Sequence, residues 1–149
     1  MPSLIFELDR QRFAIGIAAV EEVLPFVPAR HVPQVPAIVE GIVDLRGAAL
    51  PVLDIRARFG LPPKPDALSD HLIVVRIAGR RLALHVDRAG TVAELPDEAV
   101  TAAAAIVPGS RYISGVAQFD GDIIFIHDPE LFLRETELAA LAEFDQAVP

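Results

Sequence analysis

The chain has 149 residues, 52% of them hydrophobic, which suits one domain with a sizeable buried core. It contains no cysteine, so disulfides, thiolate zinc sites and a cysteine nucleophile are excluded. Thirteen basic residues against 21 acidic ones give a net charge of −8, with Lys64 the sole lysine; nucleic acid and anionic lipid are excluded as partners, because both demand clustered positive charge.

Residues 1–9 lack the basic and apolar regions of a signal peptide. No run approaches the roughly 18 apolar residues of a membrane span, so a soluble cytoplasmic protein with no direct membrane insertion is expected. Strands are predicted at 4–8 and 12–17 around Asp9-Arg10-Gln11, and at 20–24, stopped by Pro25. Further strands are predicted at 42–45 and 48–53 around Arg46-Gly47, at 72–77 and 81–86 around Ala78-Gly79-Arg80, and at 90–95. The last pair, 116–119 and 123–127, flanks Asp120-Gly121-Asp122, and Asp-Gly is a strong hairpin dipeptide. Asp54 is placed to cap a short helix over 55–59, followed by the proline-rich connector 61–66. Asp128 is placed to cap a second helix with Pro129 in its first position, continuing through Leu131, Leu138, Leu141 and Phe144 on one face. Helix-length segments are missing between most strands, so the fold class is all-β with short helices.

A displacement of 74 carries Ile38 to Tyr112, Gly41 to Gly115, Leu45 to Phe119, Gly47 to Gly121, Leu50 to Ile124 and Asp54 to Asp128. A displacement of 69 aligns Arg12-Phe13-Ala14-Ile15 with Arg81-Leu82-Ala83-Leu84. Similarity at a near-fixed period reports repeated structural units. The chain is therefore expected to be a single domain, 1–149, with pseudo-repeat halves 1–65 and 66–149 forming two small β-barrels packed together.

Catalytic constellations fail on spacing. His71, His85 and His127 lie near Asp70, Asp87 and Asp128, but no pair of ligands has a helical metal spacing, so neither a metal nor a cofactor is expected. His85 and Asp87 are two apart and can share a strand face. Val86-Asp87-Arg88-Ala89-Gly90 suits a solvated turn. None of the serines stands in Gly-x-Ser-x-Gly. The repeat-related Asp54 and Asp128 are the best case for an aspartate-dependent hydrolase, yet both stand where a helix cap is wanted. A small-ligand barrel would need an enclosed cavity, and barrels this small are filled by side chains.

Several strings carry a resemblance. Leu4-Ile5-Phe6-Glu7-Leu8 with Phe13-Ala14-Ile15-Gly16-Ile17-Ala18-Ala19-Val20-Glu21-Glu22-Val23 opens it. It continues in Gly41-Ile42-Val43-Asp44-Leu45-Arg46-Gly47, Leu50-Pro51-Val52-Leu53-Asp54, Ala83-Leu84-His85-Val86-Asp87 and Tyr112-Ile113-Ser114-Gly115. Together these resemble CheW-like domains across nearly the whole chain. The resemblance implies two five-stranded β-barrels and no enzymatic activity. It implies an adaptor that joins the cytoplasmic tips of methyl-accepting chemoreceptors to the regulatory domain of a CheA-type histidine kinase. A CheW-like decoy or localisation module binding one partner is the alternative within the family. Carried over residue by residue, Val20, Glu22, Leu72 and Val92 would line the receptor-binding groove. Arg46 would pair with Glu22, and the surface near Gly41, Val43 and Asp44 would face the kinase. Asp44 departs from the family's usual asparagine, and its charge would compete with Glu22 for Arg46.

Overall fold

The computed structural model describes residues 1–102 and 112–147, the last five of these as backbone only. Its strands are β1 (Pro2–Leu8), β2 (Gln11–Gly16), β3 (Val20–Pro25), β4 (Val39–Leu45), β5 (Ala48–Asp54), β6 (His71–Ile77), β7 (Arg80–Val86), β8 (Arg88–Glu94), β9 (Val100–Ala102), β10 (Ile113–Phe119) and β11 (Asp122–His127). Among the described residues, two α-helices accompany them, α1 (Ile55–Arg58) and α2 (Glu135–Ala147). The β4–β5 and β10–β11 hairpins turn through two residues of positive φ, Arg46 at 51° with Gly47 at 86°, and Asp120 at 56° with Gly121 at 76°. That backbone matches the right-handed twist of the strands it joins.

The strands form two open sheets. One runs β8-β1-β2-β11-β10-β9 and the other β3-β6-β7-β5-β4. Neighbours are antiparallel except at β11–β2 and β5–β7. The two exceptions are the same joint made twice, since β11 corresponds to β5 and β2 to β7 in the repeat. Each half lends strands to the other's sheet, so neither half builds a sheet alone. The expected closed barrels are corrected to two packed sheets of six and five strands. In the five-stranded sheet, the chain after β3 returns to β4 through only the Arg30–Ile42 bridge. Pro25 and Pro28 lack the N–H donors that would extend the ladder.

β6 explains how the layers stack. Leu72, Ile73, Val74 and Val75 are all fully buried, because both faces of the strand are covered. Ile73, Val75 and Ile77 join the core between the sheets, with Phe6, Leu8, Phe13, Leu82 and Leu84. Leu72 and Val74 point the other way, into a smaller core with Val43, Leu50, Val52 and Ala83. The cap expectations hold: Asp54 accepts from the Arg56 N–H, and Asp128 from the Glu130 N–H. The second predicted helix is split. Pro129–Leu131 is a single 3-10 turn that leaves Leu131 exposed, and Phe132 and Leu133 enter the core before α2 starts. Leu138 and Leu141 pack as expected, whereas the Phe144 side chain lies outside the described residues.

Candidate functional site

The Glu22–Arg46 pair forms as expected. Arg46 leaves the β4–β5 turn and donates two hydrogen bonds to Glu22 of β3, at 2.7 and 3.0 Å. The guanidinium holds the Glu22 carboxyl below the usual carboxylate range. However, the Arg46 side chain is 70% exposed, so the pair is solvent-screened and not a buried buttress. Asp44 does not compete for it. Its carboxylate accepts from the Gly47 N–H at 2.8 Å and closes the same turn.

The other carried-over positions divide. Val20 is half-buried on β3, opposite Val75, and packs against the core between the sheets. Val92 is 61% exposed on β8, opposite Leu4 of that same core. Both strands are sheet edges, and β8 touches β6, the partner of β3. Leu72 is corrected: it is fully buried on the opposite face of β6 and presents nothing to a partner. Of the expected kinase-facing residues, Asp44 is exposed. Val43 is buried in the core of its own sheet, and Gly41 lies beneath the Arg30 carbonyl.

Sequence reasoning missed a charged well at the other end of the five-stranded sheet. His85 has Nδ1 at 2.9 Å from Glu40 and Nε2 at 2.8 Å from Asp70. Burial opposes a charge on this ring, but the two carboxylates prevail and raise its pKa to about 9. Asp70 is only 2% exposed and also accepts from Lys64 and from the Ala67 N–H. Arg56 donates to both oxygens of Asp87 and reaches Asp9. Asp87 lines the same well as His85, although it stands in the bend after β7 and not on the strand with it. The other members come from β4, α1 and the connector, and no local motif announces them.

Asp54 ends a strand of the five-stranded sheet and Asp128 follows a strand of the six-stranded one, and each carboxylate is engaged as a helix cap. His127 is buried between Phe59 and Phe132, with Nδ1 on the Tyr112 carbonyl and Nε2 without a partner among the described residues. Burial pushes its pKa down to about 4. It is a neutral core residue. Among the described residues, no helix is long and apolar enough to cross a membrane.

Two interleaved sheets with ion pairs on their surface make up a β fold with few short helices. The CheW-like domain model matches residues 2–137, and the chain belongs to the CheW-like domain family. A probable chemotaxis protein CheW of Rhizobium etli is 28% identical over 139 residues, 92% of this chain and 90% of the relative. The chemotaxis protein CheW of Treponema pallidum is 26% identical over 143 residues, covering 92% and 84%. The crystal structure of the scaffolding protein TtCheW from Thermoanaerobacter tengcongensis superposes with a TM-score of 0.81 at 25% identity, covering 91% of this chain and 94% of that one. The chain thus belongs to a family whose named members are chemotaxis and scaffolding proteins, not enzymes.

Proposed function

We propose that this scaffold couples the cytoplasmic tips of methyl-accepting chemoreceptors to the regulatory domain of a CheA-type histidine kinase, working in the cytoplasm at receptor arrays it reaches through its partners. The observation that carries the reading is the Glu22–Arg46 pair set beside half-buried Val20 on an edge strand. An edge strand with an apolar residue and a fixed charge offers both contact area and orientation to a partner helix. Val20, Glu22 and Val92 form the receptor side of this proposal. The β4–β5 hairpin, with Asp44 exposed beside the turn, Val43 in the core and Gly41 beneath the Arg30 carbonyl, forms the kinase side.

The test is reconstitution of kinase activation with receptor, kinase and this protein. Val20→Glu puts a charge on the edge of the inter-sheet core and is expected to lower receptor binding at least about tenfold, as for a central interface residue. A variant that folds and couples like wild type would refute the receptor side. A two-partner pull-down separates coupling from the one-partner decoy: recovery of both receptor and kinase supports the adaptor, and recovery of one supports the decoy.

A further inference from the structure

The connector from α1 to β6 belongs to neither the receptor face nor the kinase face. Residues 61–67 form no turn, helix or strand. The rings of Pro62, Pro63 and Pro65 fix φ at about −65°. Leu61, Pro62 and Lys64 each precede a proline, which holds them extended. The run 61–65 is therefore a polyproline II helix, which repeats roughly every three residues, so Pro62 and Pro65 share one face. Pro62, Pro63 and Pro65 are all exposed. Their backbone is anchored from below. Leu61 packs against the core between the sheets, and Arg56 donates Nε to the Pro62 carbonyl at 2.9 Å. Lys64 donates to the Pro65 carbonyl at 3.1 Å and to Asp70 at 3.0 Å. The proline ridge is thus ordered in advance, and docking costs it little conformational entropy.

A free cation stands at the Pro62 end. The Arg56 guanidinium that holds the Pro62 carbonyl also donates Nη2 to Asp9 at 3.1 Å, which ties the Asp9-Arg10 turn of β1–β2 to the connector. Arg10 is exposed and makes no hydrogen bond or ion pair among the described residues. It sits at φ 64°, in the second place of a two-residue hairpin turn; its three counterparts among the described residues are Gly47, Gly79 and Gly121. A side chain in this left-handed place strains the backbone. No contact within the fold compensates that strain for Arg10.

We propose that the 62–65 ridge and Arg10 together form a ligand for a partner domain with an aromatic-lined groove that ends in an acidic pocket. Aromatic grooves receive preformed polyproline II helices, and a carboxylate receives the guanidinium fork. The prolines seat between the rings, and Arg10 enters the pocket beside them. This face does not rest on the receptor or kinase assignment.

The experiment titrates isotope-labelled full-length protein with an SH3 domain of that groove type and follows amide chemical shifts. Saturable shifts within 9–11 and 61–66 are expected, with a dissociation constant below about 1 mM. An unlabelled proline-rich peptide that fills the groove is expected to reverse them. The double variant Pro62→Ala, Pro65→Ala keeps both carbonyls that the side chains hold, and is expected to bind at least about tenfold more weakly. Arg10→Gly removes the charge and relieves the turn, and is expected to bind at least about threefold more weakly. No saturable shift, shifts centred elsewhere, no reversal by the peptide, or wild-type affinity in either variant would each overturn the proposal.

Discussion

At the residue scale, charge pairs of similar length on this protein do different work because their exposure differs. Arg46 and Glu22 meet in the open, where salt and water screen them. Arg46→Ala is therefore expected to leave the melting temperature within about 2 °C of wild type, while weakening binding of a receptor fragment. A large fall in melting temperature would mean that the pair supports the fold instead of a contact. His85 is the opposite case. Its ring stacks on Phe26 and bridges Glu40 to Asp70, whose carboxylate is shut away from water. His85→Leu removes the bridge and leaves Asp70 with Lys64 and one backbone donor, a loss of about 3 kcal/mol at pH 7 for breaking a buried pair. Urea denaturation measures it, and a loss below about 1 kcal/mol, the value of an exposed pair, would show that the network rearranges freely.

At the element scale, the repeat is visible in the two bulged hairpins. The β4–β5 register shifts between Val39 and Gly41, and the β10–β11 register between Ile113 and Gly115. The two glycines nevertheless meet different neighbours. A Cβ on Gly41 would stand 2.3 Å from the Arg30 carbonyl oxygen, whereas one on Gly115 would press less severely on the Thr101 carbonyl and the Val100 side chain, each at 3.2 Å. Gly41→Ala must break the Arg30–Ile42 bridge and is expected to cost about 3 kcal/mol, against about 1 kcal/mol for Gly115→Ala, where a side chain can give. Equal costs in urea unfolding would contradict the asymmetry. These hairpins and both aspartate caps were legible in the sequence because their chemistry is local: Gly at a turn, Asp before a helix. The partition into sheets was not, because β5–β7 and β11–β2 join strands whose pairing leaves no turn between them. Leu72 was misplaced for a related reason. A strand buried on both faces has no polar alternation to say which side chain looks outward. The charged well was illegible because Glu40, Arg56, His85 and the pair Lys64 and Asp70 belong to four different segments, and only the fold brings them together.

At the scale of the whole molecule, the interleaved halves place one histidine in the core between the sheets and another at the end of one sheet, with opposite consequences for pH. His127 is held neutral among Phe59 and Phe132, with a folded pKa of about 4 against an ordinary 6.5. Its contribution is present above pH 6.5 and is lost as pH falls towards 4, because the unfolded chain then binds a proton that the folded one refuses. His85 is held charged, with a folded pKa of about 9. Its contribution is present below pH 6.5 and is lost as pH rises through 9. Each shift is worth about 3 kcal/mol in full. Asp70 and Glu137, both held below the carboxylate range, steepen the acid limb, since their contributions vanish as pH falls through their folded values. Stability should therefore peak near pH 6.5 and decline on both sides. The limbs should separate by mutation: His127→Leu flattens the acid limb and leaves the alkaline one, and His85→Leu does the reverse. Urea midpoints from about pH 4 to pH 9.5 span both titrations. If both variants kept the wild-type slopes, the two imidazoles would not hold the protonation states that their surroundings impose.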